Sequence, residues 1–209
     1  EKTGKLIRTH GGAISAETSG IELSADQKKT KNISNKTRIA EKSMEFVQDG
    51  DIILLDTGTT TAEIAKLLTV RRNVTVITND LEIALQLEGH TGLNVIIIGG
   101  SVRPGFHCTV GMFANNLLDE ITVDKAFIAT NSLDIETGLY TPDTNQAEIK
   151  NRMIKCAREA FLVCDNTKIG RKSFAKFAEL DDFHIVITDS ELDAESYSKM
   201  SAKVEVIRA

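Results

Sequence analysis

The regular exchange of short Val/Ile/Leu runs with amphipathic stretches, from residue 51 onward, most limits what this chain can fold into. DIILLD (51–56), VTVIT (74–78), NVIIIGG (94–100), DKAFIAT (124–130), FLVCD (161–165), HIVITD (184–189) and VEVI (204–207) read as strands. Runs that stay apolar on both faces, rather than alternating, belong to strands covered on both sides. The segments between them carry helical spacing. They are Thr60 to Leu68, DLEIALQLE (80–88) with Asn79 or Asp80 as N-cap, GMFANNLLDEI (111–121), and a long helix from Asp143 to about Glu159. SFAKFAEL (173–180) and a short stretch before VEVI read as two more. Upstream, Ile39, Ala40, Met44, Phe46 and Val47 set a helix from Lys36 that Asp49-Gly50 stops. DIETGLYTP (134–142) reads as a turn, and the polar stretch to Asn35 as a connector holding one short strand, GGAISAE. Strand–helix alternation of this kind specifies the α/β class, a mostly parallel sheet with helices on both faces. No repeat or low-complexity linker divides it.

In an open α/β sheet, ligands bind beyond the carboxyl ends of the strands. Those ends carry Asp56-Thr57-Gly58-Thr59-Thr60-Thr61, then Thr78-Asn79-Asp80, Gly99-Gly100-Ser101, Ala129-Thr130-Asn131 and Asp165-Asn166-Thr167-Lys168. Each stop alone is ordinary cap chemistry, but five on one rim point to a shared site. The threonine run is the sharpest of them, because β-branched residues are poor helix starters. A glycine that admits close approach, the unpaired N–H groups of a helix start and three hydroxyls suit phosphate or carboxylate. G-x-x-x-x-G-K-[ST] and G-x-G-x-x-G are both absent, so nucleotide hydrolysis and dinucleotide binding have no support, and a compact anion fits better. Lys150 and Lys168 are the candidate cations for it.

Charge and cysteine content remove other classes. The net charge is −5, too acidic for a surface devoted to nucleic acid, yet residues 1–42 hold nine Lys and Arg against five Asp and Glu. No apolar run approaches the ~18 residues of a membrane span, and the first residues lack the apolar core of a signal peptide. Cys108, Cys156 and Cys164 have no C-x-x-C spacing and fit reduced thiols in a cytoplasmic protein. His10, His90, His107 and His184 are scattered, so no metal and no cofactor is implied.

Taken in order, R-x-H-G-G-A (8–13), IAEKSMEFVQDGDIILLDTGTTTAEIA (39–65), VTVITNDLEIA (74–84), IIIGG (96–100), VDKAFIAT (123–130), GLYT (138–141), AEIKNRMI (147–154), DNTKIGRKSF (165–174) and VITD (186–189) resemble the effector-binding domain of DeoR-family bacterial transcriptional regulators. The likeness covers nearly the whole chain. It implies a fold similar to ribose-5-phosphate isomerase and the CoA transferases, and a phosphorylated sugar as effector. It also implies DNA contact only through a winged helix-turn-helix missing from this chain, with R-x-H-G-G-A as the tail of its wing. Residues 1–35 then form the connector and 36–209 the sensor. Carried over residue by residue, the resemblance puts phosphate on Gly58, Thr59, Thr60 and Thr61 with Asp56 closing the strand end. Thr78, Asn79, Gly99 and Gly100 flank the sugar, and Asp124, Lys125, Lys150 and Lys168 supply charge. A homodimer or homotetramer follows, because palindromic operators are read by symmetric proteins.

Two other classes stay in view. A sugar-phosphate isomerase needs a carboxylate over C1 and C2, which Asp56, Asp124, Glu148 or Asp165 could supply. The clustered acidic residues of that enzyme are absent after DKAFIAT, where NSLD follows, and IIIGGSVRPG offers no glutamate nucleophile for CoA transfer. A purely structural oligomerisation domain would use GMFANNLL but leaves the threonine loop without a purpose. No enzyme is expected.

Overall fold

The computed structural model describes residues 6–9, 12–15 and 22–209. Two strands, β1 (Leu6–Thr9) and β2 (Gly12–Ser15), pair antiparallel where the sequence suggested one; the rest of GGAISAE lies outside the described residues. A short α1 (Ala25–Lys29), closed by a Ser24–Gln27 capping box, leads into α2 (Ile33–Ser43). That helix starts three residues before Lys36, so it crosses the expected boundary between connector and sensor.

The body is a seven-stranded parallel sheet. In chain order come β3 (Ile52–Leu55), α3 (Thr59–Leu68), β4 (Val74–Thr78), α4 (Leu81–Leu87) and β5 (Leu93–Ile97). A small hairpin follows, β6 (Ser101–Arg103) and β7 (Cys108–Val110), then α5 (Met112–Asp119) and β8 (Val123–Ala129). Next are a second hairpin, β9 (Ser132–Asp134) and β10 (Gly138–Thr141), and α6 (Thr144–Lys155) with β11 (Ala157–Val163). The chain closes with β12 (Ala175–Ala178), β13 (Ile185–Thr188), α7 (Ala194–Ser201) and β14 (Glu205–Arg208). Across the main sheet the order is β14-β13-β11-β8-β3-β4-β5, and every pair in it is parallel.

The double-sided apolar runs have the expected consequence. On β3, Ile53 and Leu55 face one core with α2, α3 and α4, while Leu54 faces the other. Phe127 of β8 and Phe161 of β11 belong to the first core and stack with centroids 5.0 Å apart; Ala126, Ile128 and Leu162 belong to the second, with α5, α6 and α7. Helices therefore cover both faces.

Four local readings are corrected. Residues 175–178 are a strand, because β12 pairs antiparallel with β10 and buries Phe177 and Ala178; the Phe174–Phe177 spacing only imitated a helix, and Phe174 is exposed. The stretch 134–142 is a hairpin rather than a simple turn. The long helix stops at Lys155, since Ala157–Val163 is drawn into the parallel ladder with Val123–Ala129. The β6–β7 hairpin, from SVRPGFHCTV, had no expected element.

Candidate functional site

The chain leaves β3 for β4 and β5 on one side and returns as β8 on the other. Strand order reverses between β3 and β8, and a crevice beyond their carboxyl ends is where such sheets hold ligands. Asp56 ends β3 at this point. Its N–H donates to the Phe127 carbonyl at 3.1 Å, and its Oδ2 accepts from the Ala129 N–H at 3.0 Å. Lys150 of α6 donates to the same Oδ2 and to the Ala129 carbonyl at 3.0 Å. Both side chains are out of solvent. Burial raises the Asp56 carboxyl above its ordinary range, against the pull of Lys150, and Oδ1 is left buried without a partner. Lys150 is thus committed to Asp56 in the floor of the crevice, not held free as a ligand cation.

Above that floor the threonine loop begins α3. Gly58 is its N-cap and gives no side-chain cap; a Cβ there would stand 3.0 Å from the Ala129 Cβ. The first intrahelical bond is Ala62 N–H to the Gly58 carbonyl at 2.9 Å, so the amides of Thr59, Thr60 and Thr61 precede the ladder at the positive end of the dipole. The hydroxyls divide. Thr61, fully buried, donates to the Gly58 carbonyl at 2.8 Å, and Thr57 donates to Asp80 Oδ2 at 2.7 Å. Thr59 and Thr60 make no side-chain hydrogen bond among the described residues.

The neighbouring strand end is mostly structural. Thr78 Oγ1 accepts from the Asp80 N–H at 3.0 Å, and Asp80 caps α4. Asn79 Nδ2 donates to the Thr109 carbonyl at 2.9 Å, tying β4 to the β6–β7 hairpin, while its buried Oδ1 has no partner. Gly99 is exposed with open space around it, and Gly100 is there because a Cβ would lie 2.6 Å from the Val110 carbonyl oxygen. Both glycines turn the chain into the hairpin.

Two expected residues belong elsewhere. Asp124 and Lys125 lie at the amino end of β8, the opposite edge of the sheet. Lys125 pairs with Asp51 at 2.8 Å; Asp124 accepts from the Ile52 N–H at 2.9 Å and meets Arg158 at 3.1 Å. They lock strand entries together. Lys168, in the short turn Asn166–Lys168, is half-buried on the correct edge, and no carboxylate lies within 4.0 Å of it among the described residues.

Sequence reading missed a set of charged residues that the fold gathers on this edge. Glu22 meets Lys28 at 2.5 Å and Arg103 of β6 at 2.8 Å, and accepts from Asn131 Nδ2 at 2.8 Å. Arg103 and Lys28 both sit over the Phe106 ring, at 3.8 and 5.5 Å from its centroid. Lys36 donates to the carbonyls of Lys28 and Lys31, at 2.8 and 2.5 Å, where α1 ends. The basic excess of residues 1–42 was the one signal for this group. Lys28 is lowered from its ordinary value by burial, against the pull of Glu22, with the charges of Lys168 and Lys150 adding to the drop.

Burial pushes Lys36 down to about 8 from 10.5. Between those values the unfolded chain holds a proton there that the folded chain does not, so stability rises with pH across the window. The contribution is fully present above 10.5 and is lost as pH falls through 8. The stability difference between the unaltered chain and Lys36→Met, from urea unfolding, should therefore grow from pH 8 to pH 10. A difference flat with pH would contradict this burial.

Other groups are less informative. Gln146 Nε2 donates to Cys108 Sγ at 3.0 Å, and burial pushes that thiol up to about 11, so it stays protonated near neutrality. Asp26, Glu82 and His107 bring ligating atoms within 4.8 Å of one another, but the Lys29 ammonium already bonds Asp26 at 3.1 Å and Glu82 at 2.8 Å and supplies the cation. Surface clefts of about 220 and 360 Å³ lie elsewhere, beside Glu136 and Lys203 and between α6 and β12, and neither includes a residue of this edge. No described helix is long and apolar enough to cross a membrane.

The model of the DeoR C-terminal sensor domain matches residues 31–190. The chain is 35% identical to the HTH-type transcriptional regulator GlpR of Haloferax volcanii, over 99% of this chain and 81% of that one. It is 30% identical to a putative aga operon transcriptional repressor of Escherichia coli O157:H7, over 99% and 78%. The lactose phosphotransferase system repressor of Staphylococcus aureus is also 30% identical, over 99% and 82%. Among solved structures, eIF2B beta of Chaetomium thermophilum aligns with TM-score 0.54 at 14% identity, over 83% of this chain and 54% of that one. Ribose 5-phosphate isomerase A of Methanocaldococcus jannaschii aligns with TM-score 0.49 at 21% identity, over 66% and 55%.

Proposed function

The chain belongs to the family of DeoR C-terminal sensor domains, a regulator's sensor and not an enzyme, and from that membership we propose that it binds a phosphorylated sugar at the β3–β8 crevice and relays occupancy to DNA binding. The observation that carries this is the uncapped start of α3 at the point where strand order reverses. Three amides and the free hydroxyls of Thr59 and Thr60 converge there, and the same edge of the sheet carries Lys28, which feels the charges of Lys168 and Lys150, and Arg103. Helix N-termini of this kind favour phosphate. Asp56 Oδ1 and Asn79 Oδ1, two of the buried acceptors without partners, suit hydroxyl donors of a sugar. Of the residues expected from sequence, Asp56, Gly58, Thr59, Thr60, Asn79 and Lys168 touch the ligand in this reading. Thr61, Thr78, Lys150, Gly99 and Gly100 shape its walls.

In the same reading residues 1–35 connect to a winged helix-turn-helix, 36–209 form the effector-binding body, and a symmetric homodimer or homotetramer works in the cytoplasm. The exposed side chains of Val102, Met112 and Phe113 favour self-association, and a monomer by light scattering would remove that part.

Thermal unfolding against sugar phosphates, each paired with its unphosphorylated sugar, tests the proposal. A ligand at 100 times its Kd adds about 2.7 kcal/mol, or roughly 5–10 °C for a chain of this size. Thr60→Ala should keep the unliganded Tm within about 1 °C and weaken binding by roughly tenfold, the scale of one lost hydrogen bond to a charged group. Stabilisation that needs no phosphate, or that survives Thr60→Ala undiminished, would contradict it.

A further inference from the structure

The cations gathered at the crevice already hold an anion, and it belongs to the chain. Glu22 lies in the segment that leads into α1, yet its carboxylate meets three side chains brought from three places: Lys28 of α1, Arg103 of the β6–β7 hairpin and Asn131 at the end of β8. The segment is held over the strand ends by further contacts. The Ala25 N–H donates to the Gly105 carbonyl at 3.3 Å, Lys29 reaches Glu82 of α4 at 2.8 Å, and Asn32 Nδ2 reaches Asp165 Oδ1 at 3.1 Å. Asp165 ends the strand next to β8, so residues 22–32 touch four strand-end junctions in turn.

The chemistry is that of an anion subsite. Burial opposes ionisation of Glu22, but Lys28, Arg103 and the bond from Asn131 outweigh it and hold the carboxyl below its ordinary range. Arg103 keeps one further carboxylate in reach, Asp143 at 3.6 Å, so removing Glu22 leaves a partly compensated guanidinium beside an ammonium in a half-buried cradle. A phosphate supplies more charge and more acceptor oxygens than a carboxylate.

We propose that Glu22 is an internal stand-in for the effector's anionic group, occupying the cradle of Lys28, Arg103 and Asn131 until a phosphate takes these donors and frees the segment 22–32. This rests on the crevice being the effector site, and it names how occupancy reaches the residues that precede the sensor body. An external ligand must compete with a tethered one, which lowers its apparent affinity by the fraction of time the cradle is open. Release of the segment is then the signal, with no large rearrangement of the sheet.

The test is calorimetric titration of the 209-residue chain with inorganic phosphate. It is run on the unaltered chain, Glu22→Gln and Thr60→Ala, with hydrogen exchange followed at residues 22–32. Glu22→Gln should bind phosphate about tenfold or more tightly, as expected if the stand-in is seated nine-tenths of the time or more. Phosphate should speed exchange in residues 22–32 of the unaltered chain, and Glu22→Gln should show the fast exchange without phosphate. Equal or weaker binding by Glu22→Gln, with binding still weakened in Thr60→Ala, overturns the stand-in and leaves the crevice as the site. Equal binding by all three chains, or binding by none, overturns the crevice and the stand-in with it.

Discussion

Lys150→Met should destabilise the folded chain by about 3–5 kcal/mol, because it strands a buried carboxylate. Asp56 is fully buried, and its Oδ2 bridges β3 to β8 through the Ala129 N–H while Lys150 supplies the only cation bonded to it among the described residues. Its Oδ1 has no partner to share the charge. Tm should fall by roughly 6–20 °C on that scale. Asp56→Asn combined with Lys150→Met removes both charges and should recover part of the loss, since the two sites share one interaction. A Lys150→Met chain within about 1 kcal/mol of the unaltered one would mean that the pair does not carry the β3–β8 junction. Chemical unfolding of the two single variants and the double one decides the matter.

Gly100→Val should cost about 1–3 kcal/mol, the usual range for forcing extra atoms into a packed site. The nearest obstacle is backbone, the Val110 carbonyl oxygen 2.6 Å from where a Cβ would stand, which cannot turn aside as a flexible side chain would. The strain falls on the β6–β7 ladder, where Ser101 pairs with Val110 and Arg103 with Cys108. Arg103 stands in the anion cradle, so a displaced hairpin should weaken phosphate binding as well as stability. Gly99→Ala, at the preceding residue of the same turn but facing open space, is the control and should change neither by much. Equal effects of the two substitutions would contradict the close approach.

The sequence made the sheet legible because its inner strands are buried on both faces. IILL, VTVIT and AFIA are short, β-branched-rich runs of strand length, and their ends marked the rim on which Asp56, Gly58 and Thr59–Thr61 fall. The hydroxyls of Thr59 and Thr60 stand where the residue pattern placed them. What pattern could not separate was a lysine left without a carboxylate from one that neutralises a buried carboxylate; Lys150 and Lys168 read alike until Asp56 was found beneath one of them. Asp124-Lys125 misled for a related reason, since a strand's two ends look equivalent until its direction and neighbours are known. SFAKFAEL has the apolar spacing of a helix, and only the antiparallel edge of β10 turns it into a strand. The charged group around Glu22 was hidden most deeply. Its members are far apart in sequence, and Glu22 and Lys28 lie in a stretch too polar and aperiodic to suggest packing against anything.

The central claim is that a compact anion binds at the start of α3, and the most direct measurement is a phosphate titration followed by amide chemical shifts. The amides of Thr59, Thr60 and Thr61 should move most and saturate together, with Arg103 and Lys28 responding at the same concentration. Saturating shifts centred on another helix start, such as Asp143 to Gln146, or no saturating shift at Thr59–Thr61, would contradict the account.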